Sequence, residues 1–200
     1  MSKTYRCKVR VDLKERVRAR DAVEYEIDLG RVLGKQEESE LLRQKLRAAG
    51  GVEKDGKIAL DIGGVRVEVD PATGKVTAEV GADGDVEVRI DEERQVWNVR
   101  DNAEAAQKSA QAEAENEARQ RLAAEKATKQ GALEGRVRGK LGRATPEIVR
   151  RLREVRAEVE KEAVVRKAQR LGTVLGTHES QDEATGDRTL TVDVELPDRE

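Results

Sequence analysis

Apolar residues recur at every second position near both ends of this chain, and at every third or fourth position across its middle third. A period of two marks a half-buried strand and a period near 3.6 an amphipathic helix. The change falls near residue 101 and reverses after Gly172, so strands flank a long helical segment. That order predicts an α+β fold: a mainly antiparallel sheet domain with an inserted long antiparallel helical hairpin. The expected division is 1–100 with 172–200 as the sheet-containing domain, and 101–171 as a helical arm.

The strand signals are specific. Tyr5, Cys7, Val9, Val11 and Leu13 alternate with Arg6, Lys8, Arg10 and Asp12. Val23, Tyr25, Ile27 and Leu29 alternate with Glu24, Glu26 and Asp28. One outer face is cationic and the other acidic, and opposite charges on facing strands favour pairing by a few tenths of a kcal/mol each. These two segments are expected to be antiparallel neighbours. A helix is expected over 39–49, with Leu41, Leu42, Leu46 and Ala49 on one stripe and Gly50-Gly51 at its end. Strands follow at 58–62 and 65–69 around Gly63-Gly64, then a turn at Asp70-Pro71-Ala72-Thr73-Gly74. Val76, Ala78 and Val80, then Val86, Val88 and Ile90, read as two further strands separated by a Gly81–Gly84 turn.

Across 101–130 alanine supplies ten of thirty residues, with Asp101 and Glu104 as an N-cap pair. Ala103, Ala106, Ala110, Ala114 and Ala118 form a thin stripe whose large member is Leu122. Gly131, Gly135, Gly139 and Gly142 then interrupt, and each costs about 1 kcal/mol inside a helix. Thr145-Pro146 reads as the start of a second helix, with Thr as N-cap and Pro at the first position. Ile148, Leu152, Val155 and Val159 follow at coiled-coil spacing and are the candidate interface. Neither stripe is wide, which points to an exposed arm, with Val164, Val165, Ala168 and Leu171 packing at its base; the competing reading is two helices lying on the sheet. Leu190, Val192, Val194 and Leu196 alternate again after a polar loop at Asp182–Asp187 and stop before Pro197.

Charge is unevenly spread. Residues 136–170 carry 12 basic and 5 acidic side chains, whereas 171–200 carry 2 and 8. Arg136, Arg138, Lys140, Arg143, Arg150 and Arg151 are the candidate anion-binding residues. They could contact nucleic-acid phosphates in a salt-dependent way. Against that, the helix has no aromatic residue for stacking, and five glutamates interleave its cations.

Composition removes several chemistries. Charged residues make up 40% of the 200 positions, there is no Phe, and the only aromatics are Tyr5, Tyr25 and Trp97. One histidine and one cysteine do not build a Cys/His zinc site or a disulfide framework. Gly51–Lys57 satisfies GxxxxGK, but Ile58 stands where Mg²⁺ needs Ser or Thr, and a strand follows where a phosphate loop needs a helix. Asp83-Gly84-Asp85 resembles the opening of a calcium loop, yet Val88 replaces the required Gly and Arg94 the closing Glu, so it reads as a hairpin turn. His178-Glu179 lacks a second metal-ligating histidine and reads as surface; Cys7 reads as a small hydrophobe on an inward face. No catalytic residue, metal or cofactor is assigned. No apolar stretch approaches the roughly 20 residues that span a bilayer. Met1–Leu13 does not resemble a signal peptide, so a cytoplasmic protein is expected.

The ending carries a resemblance. Lys167-Ala168-Gln169-Arg170-Leu171-Gly172, then Thr177-His178-Glu179, then Gly186-Asp187-Arg188-Thr189-Leu190-Thr191-Val192 resemble the end of a small family known from cyanobacteria and plastids. Similar domains occur beside bacterial FtsH-like or MoxR-like AAA ATPases with von Willebrand A partners. Gly64–Asp70 through Gly74–Val80 is similar to a short β-hairpin protein of the same settings. The resemblance implies an accessory component of an ATPase system and transfers no catalytic residue. The expected function is therefore a non-enzymatic adaptor whose helical arm binds a protein partner or another copy. Nucleic-acid binding through 136–170 is the alternative, and a hydrolase or nucleotide enzyme ranks third.

Overall fold

The computed structural model describes residues 3–98, 102–181 and 188–196. The elements in chain order are β1 (Lys3–Glu26), α1 (Lys35–Ala48), β2 (Val52–Lys54), β3 (Lys57–Ile62), β4 (Val65–Val69), β5 (Lys75–Asn98), α2 (Ala103–Leu171), β6 (Thr173–Gln181) and β7 (Arg188–Glu195). The fold is α+β: an antiparallel five-stranded sheet of order β1-β5-β4-β3-β2 with a long inserted helix, and a separate β6-β7 pair. The chain divides into two compact units, Met1–Asp21 with Gly81–Gly139 and Ala22–Val80 with Lys140–Glu200.

In the first unit β1 and β5 form a ribbon, and α2 lies on one side of it. Cys7, Val9, Val11, Val88 and Ile90 are buried in one cluster with Ala106, Ala110, Ala114 and Ala118. Alanine contributes little area at about 25 cal/mol per Å². Its small size lets helix and strands approach closely, and the i, i+4 spacing keeps all four methyls on one face. The helix also covers the strand edge. Gln107 and Gln111 donate from Nε2 to the carbonyls of Lys8 (2.7 Å) and Arg10 (3.3 Å), and Gln130 to that of Arg18 (3.3 Å). β1 stands at the edge of the sheet, and such donors blunt an edge that would otherwise template foreign strands.

The opposite side of the ribbon is charged. Arg16 pairs with Asp83, Lys14 with Asp85 at 3.2 Å, and Arg89 with Asp12 at 3.3 Å. Charged side chains of β1 thus meet oppositely charged ones of β5. The acidic segment Val23–Leu29 is not its neighbour: β1 runs unbroken through Glu26, so residues 5–13 and 23–26 belong to one strand. The expected Gly81–Gly84 turn is likewise absent, because β5 continues through it. Neither glycine has the positive φ that such a turn requires. A Cβ at Gly84 would lie 3.0 Å from Lys129 Cε, near the end of a flexible side chain.

The expected helical hairpin is also corrected. α2 is one helix of 69 residues that includes Gly131, Gly135, Gly139, Gly142 and Pro146. None of these glycines has positive φ, and a Cβ on any of them would meet nothing within 4 Å. Leu133, Val137, Leu141, Ala144 and Ile148 are buried at helical spacing through the same stretch. Packing of that stripe offsets the local glycine cost. Thr145 does not cap a new helix; its Oγ1 donates to the Leu141 carbonyl at 2.9 Å, as a mid-helix threonine does. Asn102 caps the true start, accepting at Oδ1 from the amides of Glu104 (3.0 Å) and Ala105 (3.2 Å). Asp101, the loop at 182–187 and Pro197 lie outside the described residues.

In the second unit the short-range readings hold. α1 buries Leu41, Leu42 and Leu46 and ends in a Schellman motif: Gly51 N–H donates to Leu46 O (2.9 Å) and Gly50 N–H to Arg47 O (3.0 Å), with Gly50 at φ +92°. β2 and β3 are joined by Asp55-Gly56, and β3 and β4 by Gly63-Gly64, each a two-residue turn with both φ values positive. Ion pairs link the two helices: Lys45 to Glu162 at 3.5 Å, and Arg170 to both carboxylate oxygens of Glu37 at 2.7 and 2.8 Å. Ala168 is buried at the end of α2, Val164 and Val165 are half-buried, and Leu171 is exposed. The strands after Gly172 pair with each other and do not join the main sheet.

The turn before β5 has an ionisable latch. Asp70 accepts from the Ala72 amide (2.9 Å) and the Thr73 hydroxyl (2.8 Å). The Thr73 hydrogen bond, with the backbone amides and Lys57, holds its carboxyl below the ordinary aspartate value against the opposing effect of burial. A lowered folded-state value means stability that is present above the unfolded aspartate value, about 3.9, and lost as pH falls through the lowered one. Urea unfolding between pH 6 and pH 2 is expected to show a shallower acid decline in Asp70→Ala than in the parent chain.

Candidate interaction surfaces

The residues singled out by sequence fall into three groups. Ile148, Leu152 and Val159 are buried and Val155 is half-buried. Leu152 and Val155 border a small cavity of about 80 Å³ together with Ala49, Leu60 and Ile62. Leu152 and Val155 therefore face β3 and the end of α1 in their own unit. The 4-3-4 spacing of the stripe marks a helix face that needs cover but does not say what covers it.

The cations of α2 divide by their neighbours. Arg150 donates to Glu147 at 2.6 and 2.9 Å and to Glu154 at 2.6 Å, and Arg151 to Glu147 at 3.3 Å. The Arg150 hydrogen bond is the main reason that the Glu147 carboxyl sits below its usual value; partial burial opposes it and Arg151 adds to it. These two arginines are occupied. Arg136, Arg138, Lys140 and Arg143 are exposed and have no ion pair or hydrogen bond among the described residues. Spacing along the helix does not separate the two sets, because Arg138 has Glu134 and Arg143 has Glu147 four residues away, yet Glu134 accepts from Gln130 and Glu147 from Arg150 and Arg151.

The remaining chemistry-bearing side chains do not converge. His178 on β6 is 76% exposed, with Asp193 Oδ2 3.5 Å from its Nε2. Cys7 is a buried free thiol. The GxxxxGK stretch is the β2-β3 hairpin, with Lys54 opposite Lys57, so no helix N-terminus faces that loop. Among the described residues no group of three or more His, Cys, Asp or Glu is placed to hold a metal ion. None of the described helices is long and apolar enough to cross a membrane.

A larger cavity of about 530 Å³ lies between the turn at Pro71–Gly74 and the segment leading into α1. Sequence reading missed it, since it rests on two conformational features. Arg31 has φ +52°, and Glu38 is a buried carboxylate. Glu38 Oε1 accepts from the Leu33 amide at 2.9 Å and so fastens the segment to the start of α1. The cavity wall mixes Arg31 and Lys35 with Glu26, Asp28 and Glu38.

The model of the FtsH ternary system domain X5 family matches residues 1–195. The chain belongs to that family. By the family's name it is an accessory component of an FtsH-associated ternary system. Comparison with curated proteins and with solved structures gave no match. The membership agrees with the ATPase-system resemblance carried by the end of the chain.

Proposed function

We propose that this X5 domain is a non-catalytic adaptor that binds protein partners within an AAA ATPase-linked ternary system in the cytoplasm. The observation that carries the reading is the family match across 1–195. The surface chemistry supports it. Among the described residues, the exposed α2 cations Arg136 and Arg138 of the first unit and Lys140 and Arg143 of the second have no ion-pair partner. Unpaired guanidinium groups suit an acidic protein surface, where bidentate pairing gives specificity. Partner contact is therefore assigned to these exposed cations and not to the buried Ile148–Val159 stripe.

The test is co-elution of the full chain with the purified ATPase of its own system. Retention that falls with rising salt and is weakened by Arg136→Glu together with Arg138→Glu is expected. Absence of co-elution at low salt contradicts the reading. A second reading, nucleic-acid binding, draws on the same four cations. A gel-shift series decides it: retardation at low salt that the same double substitution abolishes supports it, and free migration at low salt ends it.

A further inference from the structure

The β6-β7 pair stands apart from the main sheet, and a two-stranded hairpin is marginal without a third strand or a packed helix. Among its described side chains none is fully buried. Val174, Leu190, Val192 and Val194 are half-buried, while Leu175 is 67% exposed and so is Leu196 just beyond β7. One side of the hairpin leans on α2: Leu190 and Glu179 border a cavity of about 280 Å³ with Ala157, Lys161 and Val164, and Lys161 pairs with Glu179.

The two edges differ. β6 is broken by a register shift between Val174 and Gly176, and such bulges twist an edge away from foreign strands. β7 is regular and carries no Gly, Pro or Lys from Arg188 to Glu195. It therefore has no bulge, proline or lysine to blunt the edge, and its charges are Arg188, Asp193 and Glu195.

β7 is also complementary to itself. Two antiparallel copies centred on Val192 set Leu190 against Val194, Thr191 against Asp193, and Thr189 against Glu195. The aliphatic residues then share one face, and each carboxylate faces a threonine hydroxyl. A one-residue slip sets Leu190 against Asp193; centring on Asp193 brings two carboxylates together; centring on Thr191 leaves Glu195 outside the ladder.

We propose that β7 pairs with β7 of a second copy about a two-fold axis through Val192, giving a four-stranded β6-β7-β7-β6 sheet. Each hairpin is about 10 Å wide, close to the diameter of one helix with its side chains, so each copy keeps α2 against its own two strands. The partner is the chain itself and the contact is isologous. The inference stands apart from the adaptor reading, and neither falls with the other.

Sedimentation of the full chain from micromolar to near-millimolar concentration tests it. The expected result is reversible conversion from the monomer to twice its mass. Thr191→Glu places like charges opposite Asp193 of the second copy at both ends of the ladder and is expected to weaken association about tenfold or more. Asp193→Lys alone meets a threonine and leaves association intact; Thr191→Glu combined with Asp193→Lys makes opposite-charge pairs and restores it. Thr191 is exposed, so circular dichroism is expected to be unchanged in all three variants. A monomer at every concentration, a dimer indifferent to Thr191→Glu, or a double variant that stays monomeric overturns the proposal.

Discussion

Ala110→Asp is expected to lower the unfolding free energy by about 3–5 kcal/mol, the cost of an unpaired charge placed in a packed interior. Ala110 has no exposed surface and sits in the cluster with Cys7, Val9, Val11, Val88 and Ile90. None of those side chains can donate a strong hydrogen bond to a carboxylate, and the methyl-sized gap does not admit water without separating helix from ribbon. Lys108→Asp, two residues away in α2 and exposed, is the control. Among the described residues its ion-pair partner is Glu104 at 2.7 Å, and such a pair is worth a few tenths of a kcal/mol. Urea unfolding read by circular dichroism separates the cases. If α2 were an unsupported arm here, both substitutions would have small effects.

Gly74→Ala carries the second large effect, about 3 kcal/mol of destabilisation. Gly74 has φ +75°, and a Cβ there would lie 2.5 Å from the Ile27 carbonyl oxygen. Left-handed backbone with a side chain costs about 1–2 kcal/mol by itself. Relief of the clash requires breaking the 2.8 Å hydrogen bond from the Ile27 amide to the Gly74 carbonyl, which adds about 1 kcal/mol. Gly131→Ala is the informative contrast. Gly131 lies inside α2 with nothing within 4 Å of an added Cβ, so the change is expected to raise stability by about 1 kcal/mol. Thermal and urea unfolding should move in opposite directions for the two variants.

That contrast also explains what the sequence made legible. α1, the β2-β3 and β3-β4 hairpins and the Asp70–Gly74 turn could be read locally, because their glycines supply the positive φ that a turn needs. Gly81, Gly84 and the four glycines of α2 look identical in sequence but have no positive φ and simply continue a strand or a helix, so two expected strands are one and the expected hairpin is a single helix. The complementary charged rows were visible, yet Asp83 and Asp85 satisfy Arg16 and Lys14 as well as Glu24 and Glu26 would, and local pattern does not choose between them. At the candidate surface, the apolar stripe Ile148–Val159 was legible as a stripe. Its cover, supplied by α1 and β3 about a hundred residues earlier, was not. The same holds for the cations: Arg150 and Arg136 differ only in which carboxylates reach them.

The central claim is that α2 is continuous through Pro146, and the sign of one stability change tests it. Proline inside a helix removes a hydrogen bond and crowds the carbonyl four residues earlier, here Gly142, at a cost of about 3 kcal/mol. Proline at the first position of a separate helix is favourable instead, and its loss costs up to about 1 kcal/mol. Pro146 is exposed, so Pro146→Ala leaves no cavity. Measured by urea unfolding, Pro146→Ala should be more stable than the parent chain by about 1–3 kcal/mol; equal or lower stability contradicts the continuous helix.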